Sequence, residues 1–220
     1  MASALAHEIN QPMTAARAHA RAAQELLRTP AADQARADGN LAAMIAQIDH
    51  AAGVVRRMRD FLRRGAPHVS TVDVRSMIED ALILVRAETS AKNIRIAFDA
   101  AHDLPPLYGD RIQLQQVILN LVRNTMDALA GAGRSDGTIR IAARRLDAPA
   151  GVEIAVADDG PGIDEDLAGL LFEPLTTSKQ DGLGLGLSIC ASIVQLHGGR
   201  IWLHSGAPGA TEFRLSLPVR

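Results

Sequence analysis

The sequence has one cysteine, few aromatic residues and no long apolar run. A lone Cys190 excludes an intramolecular disulfide framework and fits a reducing compartment. Aromatic residues make up only 3% of the chain, so its cores must be built from Ala, Leu, Ile and Val. No apolar run approaches the roughly 20 residues of a membrane span, and the N-terminus lacks the layout of a signal peptide. We therefore expect a cytoplasmic fragment that makes no membrane contact itself, although a longer protein containing it can still be membrane-anchored.

A strong charge of one sign is also missing. The net charge is −2, with nine Lys/Arg against six Asp/Glu in residues 1–65 and fourteen against nineteen in residues 66–220. A nucleic-acid-binding domain would be strongly basic, so no nucleic-acid partner is predicted. Apolar residues make up 47% of the chain, which is enough for a buried core.

Residues 1–65 show no strand-like alternation and are predicted to form a helical hairpin. Their apolar residues follow the 3-4 spacing of helices that pack as in a coiled coil. These residues are Leu5, Ile9, Met13, Ala16, Ala20, Ala23 and Leu27 before Pro30, and Leu41, Met44, Ile48, Ala51, Val55, Met58 and Leu62 after it. Two helices cannot cover both stripes, so we expect a homodimeric four-helix bundle. Packing of the hairpin on the rest of its own chain is the alternative.

A linker, Arg63–Pro67, precedes a second part, residues 66–220, in which helical and strand patterns mix. Helical periodicity covers 74–90, 110–130 and 186–197. Apolar and polar residues alternate over 94–98, 138–142, 152–157, 200–204 and 212–217, as in strands with one buried face. This pattern predicts an α/β sandwich, one sheet with helices on one face.

A polar face marks the helix predicted over 110–130. Asn120, Asn124 and Asp127 lie at i, i+4 and i+7, and Arg123 lies beside them. Amide and carboxylate oxygens suit Mg²⁺, a cation that keeps several waters and also binds phosphate oxygens. A solvated polar face, with Arg123 as a solvated cation, is the alternative.

The segment Asp158-Asp159-Gly160-Pro161-Gly162 directly follows a predicted strand. Gly160 and Gly162 let the backbone turn sharply and approach a flat ligand. The Asp158 carboxylate can accept a hydrogen bond from an exocyclic amine. An ordinary acidic turn is the alternative.

The stretch from Thr176 to Leu187 contains three alternating glycines, Gly182, Gly184 and Gly186, just before a predicted helix. Bare N–H groups at a helix N-terminus bind anions. The spacing is neither the dinucleotide-binding G-x-G-x-x-G nor the Walker P-loop. The aperiodic segment from Phe172 to Gly186 is predicted to be a lid that orders over phosphates. Thr177 and Lys179 lie in this segment as candidate phosphate contacts, with a solvated cation the alternative for Lys179.

Together these three clusters resemble the ATP-binding domain shared by histidine kinases, Hsp90, gyrase B and MutL, the GHKL or Bergerat fold (HATPase_c). Asn120–Asp127 looks like the N box, Asp158–Gly162 and Gly182–Gly186 like the two glycine boxes, and Leu171–Leu175 like the F box of the kinases. The resemblance implies that Asp158 binds the adenine amino group of ATP and that Asn124, with Asn120, holds Mg²⁺. It also implies that the lid contacts the phosphates.

The stretch Ala4–Pro12 resembles the H box of a kinase phosphoacceptor (HisKA) domain. Its His-Glu-Ile-Asn-Gln-Pro run is typical of the subgroup that contains FixL and DctB, so the resemblance extends over nearly the whole chain. It implies a sensor histidine kinase core that phosphorylates itself on His7 and passes the phosphoryl group to an aspartate of a separate response regulator.

Elementary chemistry agrees with this interpretation of the H box. A neutral imidazole offers a nucleophilic nitrogen, and the adjacent Glu8 carboxylate can take or share the proton that the ring must lose.

Gln11 lies four residues after His7, on the same face, where the corresponding residue of related kinases can orient a water that dephosphorylates the regulator. Many related kinases have Thr or Asn there. Pro12 cannot donate a hydrogen bond to the Glu8 carbonyl, which predicts a bend. A regulator-binding adaptor and an ATP-driven clamp are the alternatives.

Overall fold

The computed structural model describes residues 2–28, 33–62, 68–134, 136–174, 176 and 184–219. For residues 2–9, 49–50 and 52–62 it describes the backbone alone. The chain divides into two compact units, Met1–Arg64 and Gly65–Arg220. The predicted linker, Arg63–Pro67, lies outside the described residues. No helix within the described ranges is both long enough and apolar enough to cross a bilayer.

The first unit is a hairpin of two long helices, α1 (Ala2–Arg28) and α2 (Gln34–Leu62). Helix α1 continues through Pro12, which is buried. Small side chains make the close contact between the helices, because Ala16, Ala23 and Ala37 are at most 5% exposed. The His19 ring also bonds to the Asn40 side chain, with 3.1 Å between Nδ1 and Oδ1.

Several larger apolar side chains of the hairpin remain exposed in the single chain. Among the side chains that the structure describes, these are Met13, Leu27, Leu41, Ile45 and Ile48. All but Ile45 belong to the predicted stripes, so the described part of the stripes includes both buried alanines and larger residues open to another surface. Because the bundle requires a second chain, the four-helix arrangement remains a prediction.

The second unit is built on a mixed five-stranded sheet in the order β2-β4-β5-β7-β6. These strands are β2 (Arg95–Ala100), β4 (Thr138–Asp147), β5 (Ala150–Asp158), β6 (Arg200–Ala207) and β7 (Ala210–Pro218). Strand β2 runs parallel to β4, and the other neighbours are antiparallel. All five strands were predicted, each with ends shifted by a few residues.

A second, two-stranded sheet was not predicted, so the expectation of one sheet is wrong. Strand β1 (Val69–Val72) pairs antiparallel with β3 (Leu107–Asp110). Four residues are too few for a clear alternating pattern, and three of the four residues of β1 are exposed. The single-turn helix α5 (Glu165–Ala168) was missed for the same reason of length.

Three longer helices, α3 (Val74–Ala91), α4 (Arg111–Gly131) and α6 (Gly186–Leu196), match the predicted ranges closely. Helix α4 packs against both α3 and α6. The sheet buries alternate residues, so that Val156, for example, lies opposite Ile141 on β4 and Phe213 on β7. Each such aliphatic side chain stabilises the fold by about 1.5–3 kcal/mol when fully buried. The core therefore has the aliphatic composition that the scarcity of aromatic residues predicted.

Candidate functional site

Asp158 ends β5 as a buried carboxylate that is only 3% exposed. One of its oxygens accepts the Gly160 N–H at 2.8 Å, and the other accepts the Thr125 hydroxyl at 3.2 Å. A further hydrogen bond comes from the Thr211 side chain. Burial raises the pKa of Asp158 above its ordinary value, while the hydrogen bonds from Gly160, Thr125 and Thr211 oppose the rise. Asp158 is thus a hydrogen-bond acceptor held in a fixed position, and its burial disfavours the ionised form of its carboxyl group.

The glycines after Asp158 are required by close approach of the backbone. A Cβ on Gly160 would lie 2.6 Å from the Asp158 Oδ1 atom, and a Cβ on Gly162 would lie 2.8 Å from the Gly206 carbonyl oxygen. Gly162 also has a φ of +89°, which glycine adopts without strain. Two backbone hydrogen bonds of 2.8 Å, Ile163 N–H to Gly206 and Gly209 N–H to Gly160, tie this loop to the β6–β7 turn.

The neighbouring carboxylate, Asp159, holds the loop in place instead of facing a ligand. Its Oδ1 accepts the Thr138 N–H at 2.9 Å, and the Arg134 guanidinium bonds to its backbone carbonyl. Arg134 thereby links the end of α4 to the Asp158 loop. The two adjacent aspartates of the sequence have different surroundings, and only Asp158 is buried.

Sequence reasoning missed Thr125, Thr211 and Arg134. The two threonines are buried at positions where the periodicity predicts an apolar residue. Thr125 lies between Val122 and Met126 on α4, and Thr211 lies two residues before Phe213 on the same face of β7. A polar residue at an apolar position is a usable signal, because a buried hydroxyl needs a partner. Arg134 carries no such signal, since loop arginines are common.

The two asparagines of the α4 polar face, Asn120 and Asn124, lie beside α6. The Asn124 amide lies 3.7 Å from the position of a Cβ on Gly186, the first residue of α6. Leu185 occupies the N-cap of α6, and no described side chain caps its free N–H groups. An amide group and open backbone donors thus meet in one place, where a phosphate and its cation could bind.

Asn120, one turn earlier on α4, contacts the buried Cys190 thiol. Burial raises the pKa of Cys190 to about 12, and the hydrogen bond from Asn120 lowers it. The Cys190 Sγ atom lies 3.8 Å from the Val117 carbonyl oxygen. Cys190 is therefore an inert core residue, and part of the hydrogen-bonding capacity of Asn120 is used by it.

The donor set fits Mg²⁺ better than a metal held entirely by protein. Among the described residues, no three His, Cys, Asp or Glu side chains converge as they would in a zinc or calcium cage. A cation beside Asn124 would depend on amide oxygen, water and phosphate oxygens, which is how Mg²⁺ is usually bound with nucleotides.

The remaining predicted site residues are exposed, lie just before α6, or have no described side chain. Arg123 points to α3, where its guanidinium pairs with Glu88 at 3.2 Å and both side chains are about half exposed. Asp127 is exposed on α4, and Gln11 is exposed on α1. Gly184 adopts a φ of +60° just before α6. Thr177, Lys179 and Gly182 lie outside the described residues, as do the side chains of His7 and Glu8.

Phe172, the aromatic residue of the predicted F box, packs edge-to-face on Phe213 of β7, with 6.4 Å between the ring centroids. This contact fixes on the sheet the first residue of the segment Phe172–Gly186 that was predicted to be a lid. Most of that segment lies outside the described residues. Pairs of this geometry contribute about 0.5–1.5 kcal/mol beyond their buried area.

The chain resembles known proteins over its whole length. A family model, "Histidine kinase-, DNA gyrase B-, and HSP90-like ATPase", matches residues 109–220. Sensor histidine kinase TmoS of Ectopseudomonas mendocina is 33% identical over 99% of this chain and 22% of its own length. Sensor protein FixL of Bradyrhizobium diazoefficiens is 34% identical over 100% of this chain and 43% of its own length. The chain thus spans less than half of either relative.

Among solved structures, the histidine kinase ThkA in complex with the response regulator protein TrrA has the same fold. Its TM-score is 0.79 at 24% identity, covering 100% of this chain and 61% of ThkA. The family itself is established by the family model, which matches just over half of the chain. The chain belongs to the histidine kinase-, DNA gyrase B- and HSP90-like ATPases, as a homologue of the ATP-dependent sensor histidine kinases of two-component signal transduction.

Proposed function

We propose that the chain is the catalytic core of a two-component sensor histidine kinase, which transfers the γ-phosphoryl group of ATP to His7 and then to a response regulator. The observation that carries this proposal is the pairing of a buried acceptor, Asp158, with the open N-terminus of α6 beside Asn124. The H-box sequence on α1 supplies the acceptor histidine.

In this proposal the second unit, residues 66–220, is the ATP-binding catalytic domain. Asp158 accepts a hydrogen bond from the adenine amino group, and Gly160 and Gly162 line the base. Gly184 and Gly186, with Thr177, Lys179 and Gly182 of the lid, bind the phosphates, and Arg123 and Asp127 flank them. Asn124 and Asn120 would hold Mg²⁺, which neutralises charge on the phosphates when bound.

The phosphorylation step uses the two side chains at the start of the H box. A neutral ring nitrogen of His7 attacks the γ-phosphorus, and the bond to the bridging oxygen of the departing ADP breaks. The proton on the other ring nitrogen passes to or is shared with Glu8, which prevents an unfavourable positive charge on the ring.

The first unit, residues 1–65, is proposed to be the dimerisation and phosphotransfer domain. Its exposed apolar residues, Met13, Leu27, Leu41, Ile45 and Ile48, would be buried against a second copy in a four-helix bundle. The relative ThkA has been solved together with a response regulator. We infer a receiver domain as the partner of this chain also, acting in trans, with Gln11 assisting its dephosphorylation.

Phosphotransfer tests the proposal. The chain, incubated with Mg²⁺ and γ-labelled ATP, should acquire label with the acid lability of a phosphohistidine, and an added receiver domain should remove that label within minutes. Steady release of phosphate without any labelled protein would instead support an ATP-driven clamp and contradict the proposal. Gln11→Ala should slow loss of label from the receiver domain without changing self-labelling; an unchanged rate would refute the role of Gln11.

A further inference from the structure

We infer that His197 is a positioning residue for the phosphate end of the ATP site. This inference rests on the proposed function, because it concerns the site where ATP would bind. His197 is the C-cap residue of α6, at the opposite end of the helix from Gly186. It touches neither the Asp158 pocket nor the N-terminus of α6, so its effect on ATP has to act through the helix.

The His197 ring joins two elements through both of its nitrogens. Its Nδ1 lies 2.8 Å from the Ile193 carbonyl oxygen, within its own helix. Its Nε2 accepts the backbone N–H of Asp110 at 2.9 Å. Asp110 is the N-cap of α4, and its carboxylate accepts the N–H groups of Ile112 and Gln113. The ring thus joins the last turn of α6 to the first turn of α4.

Only one form of the ring satisfies both contacts. An N–H points at Nε2, so Nε2 must carry a lone pair. A carbonyl oxygen faces Nδ1, so Nδ1 must carry the hydrogen. His197 is therefore the neutral Nδ1–H tautomer, assigned from its partners.

The ring packs directly against the backbone of β3. A Cβ on Gly109 would lie 2.5 Å from the His197 Cδ2 atom. The chain then turns sharply into β6, where a Cβ on Gly199 would lie 2.1 Å from the Ser216 carbonyl oxygen. Packing and hydrogen bonding together fix the C-terminal end of α6.

Three contacts set α6 along α4 in antiparallel register. Gly186 lies beside Asn124, Cys190 contacts the carbonyl of Val117, and His197 bonds to Asp110. The 11 residues of α6 span roughly 16 Å at 1.5 Å per residue. A helix of this length moves as a rigid rod, so fixing its last turn also fixes where its first N–H groups stand relative to Asn124.

Side-chain chemistry gives matched variants for the test. In His197→Gln, the amide oxygen reaches about as far as Nε2 and can still accept the Asp110 N–H. In His197→Asn, the amide can replace the Nδ1 contact but falls short of Asp110. His102→Ala removes an exposed histidine of the same unit and is the control.

The experiment compares the affinity for Mg²⁺-ATP with the affinity for adenosine, by calorimetry on the folded chain. We expect His197→Asn to bind Mg²⁺-ATP about tenfold more weakly, which is the range for one lost hydrogen bond. The affinity for adenosine should stay within twofold of the wild type, because Asp158, the proposed acceptor for the adenine amine, lies on β5 and not on α6. His197→Gln should restore most of the Mg²⁺-ATP affinity, and His102→Ala should match the wild type.

Two results would overturn the inference: unchanged Mg²⁺-ATP affinity in His197→Asn, or an equal loss for adenosine, which indicates general destabilisation. A Gln variant no better than the Asn variant would also contradict it. The test is separate from the proposed kinase activity. A wild-type chain that binds Mg²⁺-ATP without labelling itself refutes the kinase but leaves the His197 measurement intact, whereas one that does not bind Mg²⁺-ATP refutes both.

Discussion

Asp158 shows how a residue proposed to bind a ligand can weaken the fold that holds it. A carboxylate that is 3% exposed loses most of its hydration, and burial raises its pKa. The folded protein therefore binds the proton at Asp158 more tightly than the unfolded chain does. The contribution of this group to stability is greatest below the unfolded pKa and falls as the pH rises through the folded pKa.

Asp158→Asn should separate binding from stability. Its amide oxygen can still accept the Gly160 N–H, while the charge and the acceptor for an adenine amine are lost. We expect ATP affinity to fall about 10- to 100-fold and the melting temperature of the nucleotide-free chain at pH 7 to rise. Calorimetry and thermal unfolding measure the two effects.

The pH dependence gives a further check on Asp158. ATP affinity of the wild type should decline as the pH falls toward the raised pKa, because the ionised carboxylate accepts from the amine more strongly than the protonated carboxyl does. The titration of the ATP phosphates also changes the affinity, but it affects both proteins equally. The ratio of the wild-type affinity to the Asp158→Asn affinity at each pH therefore reports the titration of Asp158 alone. A ratio that does not change with pH, or a melting temperature that falls in the variant, would contradict this account of Asp158.

Some residues of the site follow from the sequence, and others follow only from packing. Asp158 and the glycines around it were identified because three clusters of the sequence together resemble the ATP-binding family, whereas this segment alone also suits an ordinary acidic turn. The role of Thr125 depends on β5 and α4 meeting in space, since the two residues are 33 positions apart. The Asp110–His197 contact spans 87 positions. No local pattern encodes partners at such separations.

At the scale of elements, length decided what the sequence could predict. Helices of 11 or more residues and strands of six or more repeat their pattern often enough to be recognised. The four-residue strands β1 and β3 and the four-residue helix α5 do not. The hairpin helices were predicted, but their periodicity did not show which apolar residues face the second helix and which face outward.

The exposed face of the hairpin helices should hold two copies together. Ile45 on α2 is 56% exposed in the single chain. In a symmetric dimer, Ile45→Glu would place two charges in the interface and remove about 1.5–3 kcal/mol of apolar burial from each copy. We expect the dimer to dissociate about 100-fold more readily, as measured by light scattering over a concentration series. Gln24→Glu, an exposed polar position on α1, is the control.

An unchanged dimer in Ile45→Glu would place the interface elsewhere. A wild-type chain that is monomeric at all concentrations would contradict the proposed bundle. It would favour the alternative in which the hairpin finds another surface.

At the scale of the whole molecule, the proposed activity needs both units of the chain. The residues of the proposed nucleotide site belong to the unit Gly65–Arg220, and the proposed phosphoacceptor belongs to the unit Met1–Arg64. Family membership is established from the second unit, since the family model begins at residue 109. The central claim is that His7 of the first unit receives the phosphoryl group.

Labelling of His7→Gln with γ-labelled ATP tests that claim most directly. The variant should bind Mg²⁺-ATP with wild-type affinity, because the ATP site is in the other unit, and should acquire no label. His19→Gln, a change on the same helix at a side chain bonded to Asn40, should label as the wild type does. A His7→Gln chain that still labels fully would show that the phosphoryl group goes elsewhere and would contradict the proposed function.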